Sequence, residues 1–342
     1  MSVPEGHVNP IVLPSNRPPS RFYRGGRRIT DLRGEDPAGE REPEDWVAST
    51  TTIAGQDRLG LTVLPDGRLL RDAVADEPTA WLGAGHVARF GVDTMLLVKL
   101  LDAGERLPVH AHPHRAFAGE HLGRAHGKAE AWVILEGGEV YLGLRRDLAA
   151  AELDELLGRQ DSAAFLEAMH RIDVSRGDVV FVPPGVLHAI GAGVFLAELQ
   201  EPEDLSILVE WDGFALDGSR DGHLGLGFDL ALRAVERRMR SAGEIADLVH
   251  RASGDTPLLP AAADEYFRLD WLMVDDRAPQ SVGDGFSVLL MIEGAVELAF
   301  DGGVLGVTAG RTLDVPDAAG PIIVRGAGQL LVCRPPRPRV RM

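Results

Sequence analysis

Two short segments limit what this 342-residue chain can fold into. Each begins with a glycine that is separated by five residues from a histidine or a proline. The first begins at Gly104 and reaches His110 and His112 after five intervening residues. The second begins at Gly177 and passes through a proline-rich turn to His188. Alternate residues of a β-strand point to the same side, so His110 and His112 can face one interior. Together the segments indicate a small β-barrel whose interior holds a divalent metal.

A carboxylate completes the ligand set. Glu130 follows the first histidine pair, and Gly137 lies seven residues after it. Imidazole and carboxylate ligands suit zinc, and they also suit iron, manganese, nickel or cobalt. The two segments resemble the paired motifs of the cupin superfamily, G-x5-H-x-H-x3,4-E-x6-G and G-x5-P-x-G-x2-H. The difference is an interval of seventeen residues between His112 and Glu130, where the cupin pattern has three or four.

Composition and charge limit the kinds of molecule that the protein is expected to bind. Apolar residues make up 45% of the chain and charged residues 25%, as in an ordinary soluble globular protein. The formal net charge of −17 argues against nucleic acid and membrane surfaces as partners. Cys333 is the single cysteine, so no intramolecular disulfide can form, and no segment has the pattern of a signal peptide or membrane span. We therefore expect a cytoplasmic protein.

The chain is predicted to be mostly β, with two cupin (jelly-roll) β-barrels and inserted α-helical segments. Its 40 glycines and 22 prolines favour short strands joined by turns. The predicted order is an irregular lead over residues 1–20, a metal-binding catalytic barrel over 21–220 with helices at about 147–171, a helical connector over 221–255 and a second barrel over 256–342. Residues 131–135 and 140–144 are expected to form the arms of a hairpin.

The C-terminal part of the chain weakly repeats the first part. Residues 292–296 (IEGAV) echo residues 135–140 (LEGGEV). Residues 310–316 (GRTLDVP) echo residues 177–183 (GDVVFVP). No histidine or glutamate stands at the ligand positions of the second copy, so the second barrel is expected to be metal-free.

Longer motifs around the ligands carry a more specific resemblance. Residues 97–103 (LVKLLDA), 110–113 (HAHP), 127–132 (GKAEAW), 182–193 (VPPGVLHAIGAG) and 197–200 (AELQ) follow one another in the chain, and residues 44–49 (EDWVAS) precede them. They resemble L-I-K-x-L-D-A, Q-x-H-P, G-K-x-E-x-W, V-P-A-G-x-x-H-A-x-G-x-G, E-I-Q and, more loosely, E-x-W-x-x-S of the class I mannose-6-phosphate isomerases. The resemblance extends over residues 21–213 and is fainter beyond them.

This resemblance implies a zinc-dependent aldose–ketose isomerase that works through a cis-enediol on a small sugar or sugar phosphate. The implied cofactor is one divalent metal, with zinc preferred. By position, the implied metal ligands are His110, His112, Glu130 and His188. His110 stands where the family often has glutamine, and imidazole keeps a neutral donor at that position.

Three further residues are candidates for proton transfer. A nearby ammonium helps a metal to stabilise a developing enediolate, and Lys99 and Lys128 are the candidates for this role. Glu198 is the candidate general base. The alternatives are that Lys99 reaches solvent from a strand end, that Lys128 is a solvated loop charge and that Glu198 orients a metal ligand.

One segment departs from the family pattern. Leu208 stands where the family has an arginine close to the substrate, and Phe214 stands at a second arginine position. Loss of a cation weakens phosphate recognition, so the sequence leaves open whether the sugar is phosphorylated. Basic residues in the long interval between the ligands are predicted to bind substrate instead, or alternatively to form its solvated face: Arg115, Arg124 and His114.

Other functions on the same ligand set stay open. They are an epimerase, an oxygen-using dioxygenase and a non-catalytic sugar-binding protein. Lys99, Lys128 and Glu198 favour proton transfer over oxygen chemistry, and an intact ligand set favours an enzyme. The sequence allows a homo-oligomer without requiring one.

Overall fold

Antiparallel strands dominate the computed structural model of the protein, which describes residues 9–252 and 257–337. The strands are β1 (Ile11–Leu13), β2 (Glu44–Val47), β3 (Leu97–Asp102), β4 (His110–Ala111), β5 (Glu130–Glu136), β6 (Gly138–Leu144), β7 (Met169–Val174), β8 (Val179–Val182), β9 (His188–Ile190), β10 (Phe195–Gln200), β11 (Ile207–Leu208), β12 (Val249–His250), β13 (Arg268–Val274), β14 (Gln280–Ser281), β15 (Ser287–Phe300), β16 (Gly303–Thr308), β17 (Thr312–Val315) and β18 (Ile323–Arg334). The prediction of a mostly β protein is confirmed.

Short helices separate these strands. The α-helices are α1 (Arg27–Arg33), α2 (Leu70–Asp76), α3 (Pro78–Leu82), α4 (Ala84–Phe90), α5 (Arg115–Phe117), α6 (Ala150–Arg159), α7 (Ser162–Ala168), α8 (Gly218–Asp221), α9 (Phe228–Ala231) and α10 (Ala242–Ala246). A π-helical turn covers Ala118–Leu122, and 3-10 turns cover Leu232–Ala234, Ala261–Glu265 and Asp317–Ala319. Among the helices of the described ranges, none combines the length and apolarity needed to cross a bilayer.

The strands form three antiparallel sheets. The first has six strands in the order β12-β8-β5-β10-β3-β2, and the second has five in the order β11-β4-β9-β6-β7. The third has seven strands, with β1-β17-β15-β18-β13 as its main path. The predicted ligands lie on or beside strands of the first two sheets, and the third sheet joins the C-terminal part of the chain to β1.

The chain turns a corner between two sheets at Gly137, so the hairpin predicted there is wrong. β5 pairs with β8 and β10, whereas β6 pairs with β7 and β9, and the two consecutive strands share no ladder. A Cβ atom added at Gly137 would lie 2.3 Å from the carbonyl oxygen of Val174. The corner therefore needs a residue without a side chain.

The lead segment is more ordered than predicted. β1 pairs with β17, with Ile11 opposite Asp314, so the prediction of an irregular lead is wrong for residues 11–13. Residues 1–8 of that prediction lie outside the described residues. Asn16 donates its backbone N–H to Asp45 Oδ1 at 2.7 Å and its Nδ2–H to the Trp46 carbonyl at 3.0 Å. The lead therefore connects the seven-stranded sheet to the six-stranded one.

The helical predictions hold in one place and fail in another. Helices α6 and α7 lie within the predicted segment 147–171, although its last residues, from Met169, belong to β7. The helical connector predicted over 221–255 is wrong as a continuous helix. Up to residue 252 it contains short turns and α10, followed by β12, which pairs with β8. Residues 253–256 lie outside the described residues. The helices α2 to α4 were not predicted.

One continuous apolar core joins the six-stranded and seven-stranded sheets. Fully buried side chains from both sheets meet in it, among them Trp132, Phe181, Leu196, Leu290 and Leu331. Burial of apolar surface contributes about 25 cal/mol per Å², so this contact holds the C-terminal part of the chain against the part that carries the predicted ligands.

Asp314 is buried beside this core without a partner. The side chain is fully enclosed, and neither of its carboxyl oxygens has a hydrogen-bond partner among the described residues. The residues opposite it on the neighbouring strands are Ile11 and Val288. Burial raises the pKa of Asp314 well above its usual range, so the folded protein holds this carboxyl protonated.

We expect the substitution Asp314→Asn to stabilise the protein at neutral pH. An unfolded aspartate ionises near pH 4, so keeping the folded one protonated costs more free energy as the pH rises toward its raised pKa. The free energy of unfolding should increase by at least about 1 kcal/mol at pH 7 and by much less at pH 4. Urea denaturation of both proteins at both pH values measures this, and equal stability at pH 7 would contradict the assignment of a neutral Asp314.

Candidate metal centre and active-site cavity

Three histidines from the two predicted segments meet in the interior. His110 in β4 lies directly opposite His188 in β9, so their side chains share one face of the five-stranded sheet. His112 follows two residues after His110. The three ring centroids are 4.1, 4.8 and 4.9 Å apart, and all three side chains are buried. Their possible ligand atoms lie within 4.8 Å of one another.

Hydrogen bonds to the backbone fix how the rings are oriented. Each Nδ1–H donates to a carbonyl oxygen: His110 to Pro108 at 2.8 Å, His112 to Leu205 at 2.7 Å and His188 to Val186 at 2.8 Å. A carbonyl only accepts, so these bonds make Nδ1 the donor and leave Nε2 as the possible ligand atom of each ring. His112 Nε2 also lies 3.1 Å from Lys128 Nζ.

Burial keeps the imidazoles of His110 and His112 neutral. Burial and the two neighbouring histidines hold the pKa of His110 well below its usual range. Burial and the ammonium of Lys128 lower the pKa of His112 to about 3. Metals bind the neutral imidazole, so no proton has to be displaced at neutral pH.

Glu130 brings a carboxylate to the same point from the six-stranded sheet. Its Oε2 lies 3.2 Å from His112 Nε2, and its Oε1 lies 3.2 Å from His188 Nε2. Burial opposes ionisation, yet Lys128, 3.0 Å from Oε2, and His112 hold the pKa of Glu130 well below its usual range. His188 Nε2 is buried without a hydrogen-bond partner in the described part of the chain. A divalent cation would satisfy this atom, so the residues fit one.

Close backbone approaches bring the ligand segments together. The Lys128 N–H donates to the Pro113 carbonyl at 3.0 Å and closes the long loop between His112 and β5. A Cβ atom on Gly127 would lie 2.5 Å from the same carbonyl oxygen. The Gly185 N–H donates to the His112 carbonyl at 2.7 Å from a backbone φ of +86°. Glycine is required at both positions, which links both motifs to one site.

A row of side chains crosses the six-stranded sheet beside the ligands. Lys99 in β3 lies opposite Glu198 in β10 and Trp46 in β2, and Glu198 lies opposite Trp132 in β5. Opposite residues share a face, so the register itself brings the lysine and the glutamate together. Lys99 Nζ is 3.3 Å from Glu198 Oε1 and 4.7 Å from the centre of a Trp46 ring. Lys99 is 3% exposed, so it does not reach solvent.

Half of the predicted site residues line one cavity of about 280 Å³. It lies between the five-stranded and six-stranded sheets. The predicted residues that line it are His110, Lys99, Lys128, Glu130 and Glu198. Burial and the nearby Glu130 carboxylate raise the pKa of Glu198, although Lys99 opposes that change. A carboxyl group with a raised pKa beside a metal site can exchange protons near neutral pH.

The cavity also contains the ion pair of Arg21 and Glu44, which was not predicted. Arg21 Nε lies 3.0 Å from Glu44 Oε1, and the Tyr23 hydroxyl donates to the same oxygen at 2.7 Å. Trp46 Nε1 donates to the other oxygen of Glu44 at 2.7 Å, and Lys99 Nζ lies 3.7 Å from it. The loose motif at residues 44–49 was the available signal, since Glu44 and Trp46 point to the same side of β2.

The predicted substrate-binding residues do not line this cavity. Arg115 pairs with Glu201 and lies over the ring of Tyr266. Arg124 lines a neighbouring cavity of about 330 Å³. His114 is exposed and caps α5. These three side chains therefore surround the ligand loop without contacting the ligands.

His126 joins two carboxylates beside the neighbouring cavity. Its Nε2 lies 2.6 Å from Asp93 Oδ2, and its Nδ1 lies 3.8 Å from Glu201 Oε1, too far for a hydrogen bond. Burial alone would lower the pKa of His126, but Asp93 and Glu201 raise it to about 9. The imidazolium is therefore charged at neutral pH.

We expect this charged histidine to make stability fall at alkaline pH. The folded pKa of about 9 exceeds the unfolded value of about 6.5, so the stabilisation is complete below pH 6.5 and is lost as the pH rises through 9. The substitution His126→Gln should remove up to about 3 kcal/mol at pH 6 and much less at pH 10. Denaturation curves at the two pH values measure the difference. A cost that does not change with pH would rule out the ion pair.

Comparison with known proteins adds independent evidence. No protein-family model matches the chain. The mannose-6-phosphate isomerase of Streptococcus mutans is 32% identical over 200 residues, which cover 54% of this chain and 56% of the relative. YvyI of Bacillus subtilis, whose name assigns it the same activity provisionally, is 25% identical over 90% of this chain and 94% of its own length. The chain is therefore similar in sequence to proteins named mannose-6-phosphate isomerase.

The fold of solved mannose 6-phosphate isomerases extends over nearly the whole chain. The mannose 6-phosphate isomerase of Bacillus subtilis superposes with a TM-score of 0.73 at 21% identity, covering 96% of this chain and all of the other (100%). The apo enzyme of Salmonella typhimurium gives a TM-score of 0.71 at 16% identity and 96% coverage of this chain. The sequence match to the Streptococcus mutans relative, in contrast, spans only about half of that relative, 56%.

Proposed function

We propose that the protein is a metal-dependent aldose–ketose isomerase that acts on a small sugar or sugar phosphate. The observation that carries this proposal is the cluster of three histidines and Glu130, of which His110 and Glu130 line one cavity with the buried Lys99–Glu198 pair. Relatives named mannose-6-phosphate isomerase support the same reaction class.

His110, His112, His188 and Glu130 would hold one divalent metal, which we propose to be zinc. When bound, it supplies a Lewis acid that polarises the sugar oxygens and favours an enediolate. The buried tautomers of the histidines prepare three nitrogen donors, and the Lys128 ammonium keeps Glu130 ionised. The ligand set therefore needs little rearrangement to bind the ion.

The side chains beside the ligands would move the proton. The Glu198 carboxylate takes the proton from C2 of the aldose and returns it to C1, and the sugar hydroxyl proton passes from O2 to O1. Lys99 holds Glu198 in place at 3.3 Å and, with Lys128, supplies positive charge next to the developing enediolate. Both ammonium groups are buried, where such charges act more strongly than in water.

The proposal also includes how the chain divides into two barrels. We propose that residues 21–220 form a catalytic cupin barrel and residues 256–342 a second, metal-free one. The facing five-stranded and six-stranded sheets support the first barrel. Within the described ranges, the three histidines form the one detected group of possible metal ligands, which supports the second. A cytoplasmic location agrees with the lone, buried Cys333.

Metal analysis combined with an isomerisation assay tests the proposal. Protein purified without added metal should contain zinc, and the zinc-loaded protein should interconvert mannose and fructose or their 6-phosphates. Iron in the purified protein together with oxygen uptake would instead indicate a dioxygenase. Sugar binding without turnover would leave a sugar-binding protein.

A further inference from the structure

The charges of the cavity bear on which sugar it accepts, and the inference rests on the isomerase function proposed above. Three cations line the cavity, and each already has a carboxylate partner. The pairs are Arg21 with Glu44 at 3.0 Å, Lys99 with Glu198 at 3.3 Å and Lys128 with Glu130 at 3.0 Å. No lining cation of the described structure is left for a second anion.

The cavity also contains more carboxylates than cations. Asp204 and Asp221 line it in addition to the three paired glutamates, so five carboxylates face three cations. Arg220 offsets Asp221 from outside at 2.7 Å. Asp204 accepts the Ala54 backbone N–H at 3.3 Å and lies 3.9 Å from Arg21, which is already bound to Glu44. The divalent metal proposed above would offset two of the carboxylate charges, so a phosphate dianion would still add two negative charges to a partly dry site in which every side-chain cation already has a partner.

Leu208 lies where a phosphate-binding arginine would be most effective. It pairs directly opposite His110 between β11 and β4, so its side chain shares a face with a metal ligand. Leu208 is 6% exposed and lines the cavity together with Leu216 and Leu224. This wall offers apolar contact to the carbon skeleton of a sugar and no hydrogen-bond donor.

The neighbouring cavity does not provide the missing cation either. It shares Asp204 with the main cavity and contains the guanidinium groups of Arg71 and Arg124. Arg71 lies 3.5 Å from Asp72, and Arg124 lies 3.9 Å from Glu203. His126, the third cation of this cavity, is bound to Asp93 at 2.6 Å, so none of the three cations is free to pair with a phosphate group placed there.

We propose that the enzyme acts on an unphosphorylated monosaccharide rather than on a sugar phosphate. Paired ammonium and carboxylate groups offer both donors and acceptors, which suits the hydroxyl groups of a neutral sugar. The cavity of about 280 Å³ is at the small end of ligand sites, as a single monosaccharide requires. Leu208 and Asp204 are the specificity-determining residues. Leu208 supplies no cation to a phosphate group, and Asp204 adds a negative charge that repels one.

Parallel binding and turnover measurements on the zinc-loaded protein test this inference. The probes are D-mannose, D-lyxose and L-ribose, with D-mannose 6-phosphate, D-lyxose 5-phosphate and L-ribose 5-phosphate as their charged counterparts. Isothermal titration should show binding of a neutral sugar at least tenfold tighter than of its phosphate, and kcat/KM should follow the same order. The substitution Asp204→Asn, which keeps the shape of the side chain, should shift the ratio toward the phosphate by several-fold, whereas the surface control Glu139→Gln should not.

The possible outcomes separate the two proposals. Higher kcat/KM for a sugar phosphate than for every neutral sugar would overturn the neutral-sugar inference and leave the isomerase function intact. Loss of that phosphate activity in Arg124→Ala would assign the phosphate to the neighbouring cavity. Failure of the zinc-loaded protein to bind or convert any sugar of the panel would reject the isomerase function itself.

Discussion

The substitution His188→Ala is expected to leave the protein unable to retain its metal. His188 is fully enclosed, and its Nε2, which has no hydrogen-bond partner among the described residues, is one of the three nitrogens that converge at the candidate site. Removing one of the protein ligands of such a site leaves too few donors for tight binding. Metal content should fall from about one ion per chain to a small fraction, and isomerase activity should fall at least about 10²-fold.

Two variants make this experiment specific. His121→Ala removes a histidine from the loop between the ligand segments and outside the cavity, so it should retain full metal content. His188→Gln keeps a neutral donor and should retain more metal than His188→Ala does. Elemental analysis and circular dichroism on all three report metal content and folding separately. Full metal content in a folded His188→Ala protein would show that the ion binds elsewhere.

The substitution Glu198→Gln is expected to stop proton transfer without loss of metal. Glutamine has the size of glutamate, but it cannot take up a proton at neutral pH. General acid–base groups contribute about 10²–10⁴-fold to rates, so kcat should fall by that factor. The buried Lys99 keeps Glu44 at 3.7 Å as a partner, so the fold should survive the change. A stopped reaction with intact metal would distinguish proton transfer from metal binding.

The control for this variant is Glu139→Gln. Glu139 makes the same kind of ion pair, with Arg171 at 2.7 Å, but on the surface of the five-stranded sheet. We expect its kcat and metal content to be unchanged. If Glu198→Gln instead lost metal and kept its kcat per bound ion, Glu198 would serve to position the site and another group would be the base.

The convergence of the three histidines was predictable because their pattern is local. His110 and His112 are two residues apart on one strand end, and a glycine-framed turn brings His188 to the opposite strand. Such spacings depend only on strand geometry and on the conformations that glycine and proline allow. The family motifs around Lys99, Lys128 and Glu198 carried the same information, and these residues line one cavity.

Features that depend on distant partners were not predictable. Arg115 was expected to bind substrate, but its charge is taken by Glu201, which lies 86 residues further along the chain. Arg21 lies in the cavity because it binds Glu44, a residue that only a loose motif indicated. The strand β1 pairs with β17, about 300 residues away, and no local sequence pattern predicts such a pairing.

Two wrong predictions show where local patterns are ambiguous. Two glycines between apolar strands suit a hairpin turn and a corner between sheets equally, and only the packing around Gly137 decides between them. Within the predicted helical connector, apolar residues over 224–250 recur at a helical spacing. Gly225, Gly227 and Gly243 lower the helix propensity of the same segment. Short turns that cover the five-stranded sheet replace the predicted helix.

Hydrogen exchange on the sugar carbons tests the central claim most directly. Zinc-loaded protein in deuterium oxide, followed by NMR against a panel of aldoses, ketoses and their phosphates, should incorporate deuterium at C2 of an aldose and at C1 of the matching ketose. His188→Ala and Glu198→Gln should abolish the incorporation. The absence of exchange with every sugar of the panel, in a protein shown to hold zinc, would contradict the account of this cavity as an isomerase site.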